Sequence, residues 1–135
     1  GVHAIRTSLR VYFEDIDSGG VLYYANYLRF LERARTEFLR DLGFQQAQLT
    51  TDEGIAFAVR SLKAEYIKPA KLDDLIDVIS SIVELGRAQI VFHQRIEHDG
   101  ELLVEAVVRV ACLDLAKQKA TAIPRRIYEK LKELR

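Results

Sequence analysis

Asp99-Gly100 stands between two runs of alternating side chains, and this dipeptide constrains the fold more than any other feature of the chain. Upstream, Ala88, Ile90, Phe92, Gln94 and Ile96 alternate with Gln89, Val91, His93, Arg95 and Glu97; downstream, Leu102 to Leu113 is a long β-like run. A period of two sends successive side chains to opposite faces of a strand. Asp-Gly supplies the two positive-φ residues of a tight hairpin turn, so the two runs pair antiparallel. Gly86-Arg87 marks another hairpin, after a β-rich run from Leu75 to Leu85. Connections this short leave no room for crossovers, and the three strands form an antiparallel meander.

The rest of the chain supplies one long helix and two further strands. Leu9, Val11 and Phe13 alternate with Arg10, Tyr12 and Glu14, the pattern of a half-buried strand. From there the period lengthens. Tyr24, Leu28, Leu31, Arg35, Phe38 and Leu42 recur every three or four residues, with Ala34 and Leu39 widening the stripe. This predicts an amphipathic helix of roughly four to five turns, starting between Tyr23 and Asn26, with Asn26 an acceptable N-cap. Arg33 and Glu37 pair on its polar face, and Gly43 stops it, with Phe44 folding back on the last turn. Gln45 to Gly54 reads as a polar connection, Ile55 to Tyr66 as a strand, and Pro69 with Asp73-Asp74 as a turn. Pro124 opens a short terminal helix that docks through Ile127, Leu131 and Leu134. The order is α+β: a long central helix covering a five-stranded antiparallel sheet, in one domain spanning residues 1–135.

Composition narrows the function classes. With 20 basic and 20 acidic side chains the formal net charge is zero, which argues against an electrostatic nucleic-acid binder. The single cysteine, Cys112, cannot form an intramolecular disulfide and reads as a small buried hydrophobe. No apolar run approaches the roughly 20 residues of a membrane span. The chain opens on Gly1, read as a trimmed or tag-derived terminus, with no signal-peptide pattern; a cytoplasmic protein is the expectation.

The chemistry concentrates in "EDIDSGGVLYYANY", residues Glu14 to Tyr27. As a calcium loop starting at Asp15 it fails, since its fifth and twelfth positions are Gly19 and Asn26, which leaves two strong ligands, Asp15 and Asp17. The chain has no P-loop lysine, nucleophile-elbow serine or His-x-x-x-His pair, and no metal site is expected. His3, His93 and His98 read as solvated or pocket-lining side chains. Two readings of Asp15 and Asp17 remain. Aspartates before glycines cap turns, and spacing alone favours that reading. A carboxylate just before a helix N-terminus is the sharper alternative, because the helix amides polarise a carbonyl oxygen while the carboxylate attacks its carbon or activates water.

The run "VYFEDIDSGGVLYYANYLRFLERARTEFLRDLGF" resembles the signature of hotdog-fold acyl-CoA thioesterases. It is most similar to the 4-hydroxybenzoyl-CoA thioesterase-like family and, within it, to the branch associated with the bacterial Tol-Pal system. Asp-x-Asp-x-x-Gly, Tyr-x-x-Asn-Tyr and Glu-Arg-Ala-Arg carry the likeness together, and "AFAVRSLKAEYIKPAKLDD" and "VRVACLDLAKQKATAIP" extend it along the chain. The resemblance implies a hotdog fold and hydrolysis of an acyl-CoA thioester without a cofactor. It implies that Asp17 is the catalytic nucleophile or general base and that the Tyr24 backbone N–H binds the thioester oxygen, with Asp15 supporting. Val59, Arg60 and Ser61 become neighbours of the CoA arm, and Arg87 a candidate for its phosphates, as do Lys63, Lys68 and Lys71. Glu32 and Arg33 are assigned ion pairing or a role in a partner subunit's site. The Tol-Pal-associated branch commonly has histidine where this chain has Tyr24, which detaches any imidazole role and the substrate preference that goes with it.

The implied assembly is a homodimer or homotetramer joined through sheet edges, with acyl-CoA, or an acyl carrier protein, delivering the acyl group. A non-catalytic acyl-CoA or acyl-carrier-protein binding module is the competing reading. A dehydratase would need a histidine paired with the acid beside the helix, and no histidine is placed for it.

Overall fold

The computed structural model describes residues 4–22 and 24–135; His3 and Tyr23, both named above, lie outside them. Along the chain run β1 (Ala4–Arg10), a single 3-10 turn (Phe13–Asp15), α1 (Tyr24–Asp41), α2 (Gln46–Glu53), β2 (Ile55–Tyr66), β3 (Leu75–Leu85), β4 (Gln89–His98), β5 (Glu101–Asp114), β6 (Lys119–Ala120) and α3 (Arg125–Leu134). The five long strands form one antiparallel sheet in the order β1-β3-β4-β5-β2, and the two-residue β6 pairs with β5. The architecture is the expected hotdog arrangement, a sheet curled around α1.

The meander follows from its turns. Asp99 and Gly100 adopt φ of 49° and 79°, the two left-handed residues that a tight hairpin matching the strand twist requires. α1 ends as its sequence predicts: Gly43 takes φ of 94°, its N–H reaches Arg40 O at 2.9 Å, and the Phe44 N–H reaches Leu39 O at 2.9 Å. Those two bonds satisfy carbonyls that the helix end would otherwise strand. On the inner face Phe30, Leu31, Ala34 and Phe38 are buried, and the Phe38 ring meets Phe92 of β4 edge-on at 5.4 Å. Each large side chain so buried contributes roughly 1.5–3 kcal/mol.

One polar group interrupts this apolar interface. The Arg35 guanidinium donates to Gln94 Oε1 at 2.9 Å, and the Gln94 amide donates to Leu31 O at 3.0 Å and to Ser80 Oγ at 2.9 Å. The network ties α1 to the two central strands. Gln94 is fully enclosed, and Arg35 is 7% exposed.

Several local expectations are corrected. The first strand is Ala4–Arg10 rather than Leu9–Glu14. Val11 bonds through both backbone groups to Asp74 and Asp73, and the Tyr12 N–H donates to the Asp15 carboxylate, which curls the chain away from the sheet. Phe13 is accordingly 79% exposed. Asn26 is not an N-cap but lies inside α1, its side-chain amide donating to Asp15 O at 2.8 Å. Glu37 pairs with Arg40 at 2.6 Å instead of with Arg33, whose guanidinium lies over the Phe30 ring. The Gln45–Gly54 connection contains α2, which shows little amphipathic signal because Leu49 alone is buried. Glu53 of α2 forms a two-pronged pair with Arg126 of α3, both contacts at 2.6 Å.

β2 has an open outer edge and a bulge between Val59 and Ser61. Before the bulge Phe57 packs on the core; beyond it Leu62 and Ala64 do so. The inward parity changes from odd to even, as one extra residue demands.

Replacing Gln94 with leucine is expected to lower unfolding stability by about 3 kcal/mol, because buried Arg35, Ser80 and the Leu31 carbonyl all lose a partner. A urea titration with an unshifted midpoint would contradict this role. Burial pushes the Cys112 thiol up to about 11, so the folded protein is expected to resist thiol labelling at pH 8 and to react once denatured. Rapid native-state labelling would contradict the packing around β5.

Candidate active site

The loop between the 3-10 turn and α1 is a miniature hairpin. Ile16 bridges to Leu22, and Val21 to Lys71. The Asp17 N–H donates to Val21 O at 3.0 Å, and the Gly20 N–H returns a bond to Asp17 O at 3.1 Å. The Asp17 carboxylate accepts the Gly19 N–H on Oδ1 at 2.8 Å. The turn-capping reading of Asp17 is therefore realised. It does not exhaust the carboxylate, since Asp17 is exposed and Oδ2 makes no hydrogen bond with the described residues.

Asp15 has a different environment. It is 3% exposed; Oδ2 accepts the Tyr12 N–H at 2.8 Å, and Arg29 approaches Oδ1 at 3.5 Å. With Asn26 on its carbonyl, Asp15 fastens the loop to the first turn of α1. A second anchor sits across the loop. The Tyr27 hydroxyl accepts the Ala70 N–H at 3.0 Å, while Ala70 O accepts the Leu22 N–H at 2.8 Å. Burial raises the Tyr27 pKa, so its hydroxyl keeps its proton at neutral pH. Asp17 is thus presented by a loop fastened on both sides, immediately ahead of the positive end of an 18-residue helix.

The start of α1 lies beside the end of β2, because the Tyr24 and Tyr27 rings stand 5.8 and 5.5 Å from the Tyr66 ring. Farther along, α1 faces the beginning of β2 across a cavity of about 210 Å³, lined by Glu32, Arg35 and Leu39 of α1, Gln46 of α2, and Phe57 and Val59 of β2, among others. α1 and β2 therefore run in opposite senses past each other, from the Tyr24–Tyr66 contact to this cavity.

The structure brings some of the expected residues together and separates others. Asp17 lies in the turn whose return strand, paired through Ile16 and Leu22, leads into α1 at Tyr24. Val59 borders the cavity and, with Arg60, a second crevice beside Ala111 and Leu113. Ser61 lies five residues before Tyr66, roughly 17 Å along the strand. Arg87 belongs to the opposite end of the sheet, in a crevice with Arg125 and Tyr128. Of the lysines, Lys71 is paired through its backbone with Val21 in the loop itself, Lys68 is held by Glu101 at 2.9 Å, and Lys63 is exposed. His93 pairs with Glu105 at 3.2 Å; His98 lies 3.1 Å from Leu75 O and 3.3 Å from Asp99. No cluster of three or more metal-ligating side chains occurs among the described residues, and no helix there is long and apolar enough to cross a membrane.

Sequence reading treated Arg35 as one member of an apolar stripe and overlooked its place at the cavity. The available signal was a charged side chain in a stripe otherwise built of Tyr, Leu, Phe and Ala, with Gln94 in the inward register of the facing strand.

The model of the thioesterase-like superfamily matches residues 11–131. The acyl-CoA thioesterase YbgC of Haemophilus influenzae is 47% identical over 119 residues, covering 88% of each chain. The acyl-CoA thioester hydrolase YbgC of Escherichia coli O157:H7 is 44% identical over 129 residues, covering 95% of this chain and 96% of its own. The crystal structure of a probable thioesterase from Bartonella henselae superposes with a TM-score of 0.85 at 35% identity, covering 90% of this chain and 99% of that one. With its sequence matched almost throughout and its fold shared, the chain belongs to the thioesterase-like superfamily.

Proposed function

We propose that this protein is an acyl-CoA thioesterase whose reaction centre is the junction of the Asp17 loop with α1, within a single domain spanning residues 1–135. The observation that carries the reading is the posture of Asp17: its backbone and one carboxylate oxygen are committed to the turn, the residue is exposed, and Oδ2 makes no hydrogen bond with the described residues. The thioester oxygen is received at the Tyr24 amide, where the helix N-terminus favours developing negative charge. Asp17 then attacks the carbonyl carbon, expelling CoA thiolate and leaving an acyl-aspartyl anhydride that water hydrolyses; alternatively it takes the proton of an attacking water. Either route yields free acid and CoA with no cofactor.

The acyl group extends from this junction along the flank of α1. CoA leaves toward solvent, with Lys71 the nearest of the expected cations to the loop. Val59, Arg60, Ser61 and Arg87, distant from Asp17 along the strands of one chain, serve a site completed by a second copy. The open edge of β2 is where that copy pairs, giving a homodimer or a homotetramer and covering unpaired backbone groups. The likeness to the Tol-Pal-associated branch, a cytoplasmic location and delivery by acyl carrier protein belong to this reading.

Asp17→Asn is expected to keep the wild-type unfolding transition and to lose at least about 100-fold in kcat, read as thiol release from a panel of aliphatic and aromatic acyl-CoAs. Near-normal turnover by this variant would remove Asp17 from the mechanism. Binding without release from any member of the panel by the wild-type protein would select a binding module instead. Light scattering at micromolar concentration is expected to give the mass of a dimer or tetramer; a monomer would refute the composite site.

A further inference from the structure

Asn26 is an unfavourable residue for its position. It stands inside α1, where asparagine is a poor helix former because its short amide competes for nearby backbone groups. It does not offset this by capping the helix, the role in which asparagine is strong. Its amide instead donates to Asp15 O at 2.8 Å, 11 residues upstream and outside the helix. A carbonyl only accepts, so the Asn26 amide nitrogen has to be the donor. The first turn of α1 forgoes local stability for a contact with the loop.

That contact lies where it bears most directly on the reaction centre. Asp15 is two residues before Asp17, and Asn26 is two residues after Tyr24, about 3 Å along the helix axis. The bond closes the segment from Asp15 to Asn26 into a ring, and Asp17 and Tyr24 both lie within it, equally near the closure. Across the ring Ile16 bridges to Leu22, and the Asp17 N–H donates to Val21 O at 3.0 Å. The other ties between α1 and the loop act differently. Arg29 reaches the Asp15 carboxylate, not its backbone, at 3.5 Å and from an exposed side chain that solvent screens. Tyr27 holds the returning strand, through Ala70 and Leu22, and not the strand that carries Asp17.

We propose that Asn26 is a positioning residue for thioester hydrolysis: its bond to the Asp15 carbonyl sets the Asp17 carboxylate relative to the Tyr24 amide, and it acts on turnover only through Asp17. This rests on the reading of Asp17 and Tyr24 as the reaction centre and adds to it the residue that spaces them.

Asn26→Ala removes the donor and supplies a better helix former. It is expected to keep the urea midpoint near that of the wild type and KM within about twofold, and to lose at least about tenfold in kcat, since a shift of about 1 Å at a reacting group can cost 100-fold. Asn26→Asp has the same shape but donates only when its new carboxyl is protonated. Its kcat relative to wild type is expected to rise as pH falls from about 8 to about 5, because partial burial against a carbonyl oxygen raises that carboxyl's pKa. The titrations of Asp15 and Asp17 are common to both proteins and cancel in the ratio. In the Asp17→Asn background, Asn26→Ala is expected to cost less than about twofold, as for groups acting as one unit. Should Asn26→Ala not fold, the isosteric Asn26→Asp decides the matter alone. A wild-type kcat in Asn26→Ala, a flat ratio in Asn26→Asp, or a full additional loss in the Asp17→Asn background overturns the proposal. Asp17→Asn by itself judges the thioesterase reading: an inactive Asp17→Asn beside a fully active Asn26→Ala leaves that reading standing and this one refuted.

Discussion

The Arg35–Gln94 bond is the interaction on which the geometry of this protein turns. An apolar helix against an apolar sheet can slide at little cost, since dispersion and burial are nearly indifferent to small shifts. A buried guanidinium and a buried amide are not indifferent. Gln94 is engaged at once by Arg35, by the Leu31 carbonyl and by Ser80, and any slip of α1 would leave several of these groups dry and unpaired. The register of α1 along the sheet decides where its first residue falls relative to Tyr66 and to the Asp17 loop. A contact in the middle of the core thus positions a helix entrance several turns away.

Two aspartates two residues apart have opposite fates, and burial explains the division. Asp15 points inward and spends its oxygens on Tyr12 and Arg29; it holds the loop. Asp17, outside the 3-10 turn and at the start of its own tight turn, caps that turn with one oxygen and is exposed. The Asp-x-Asp pattern places one carboxylate inside the structure and one at its surface. The exposed one is held by backbone bonds rather than by a charged partner.

Much of this was legible in the sequence. Ile55–Tyr66, Leu75–Leu85 and the stop at Gly43 lie where periodicity and turn chemistry put them, because alternation, Asp-Gly and a C-terminal glycine are local signals with local causes. The misplaced elements were those set by distant partners. β1 ends early because Asp73 and Asp74 capture Val11. α2 forms without a clear apolar stripe because Leu49 and the Glu53–Arg126 clamp suffice to dock it. The meaning of Arg35 was hidden for the same reason: spacing put it on the buried face, but only the facing strand shows that Gln94 receives its guanidinium.

The bulge in β2 carries a consequence for how this chain can vary. Residues on either side of Arg60 face the core with opposite parity, Phe57 on one side and Leu62 and Ala64 on the other. Side chains here can be exchanged within the usual limits of size and polarity. The number of residues cannot. Losing one residue at the bulge would restore even alternation and turn either Phe57 or the Leu62–Ala64 face outward, stripping one wall from the core or from the cavity. An edge strand is ordinarily where insertions and deletions are absorbed; in this fold its length is as tightly specified as that of the central helix.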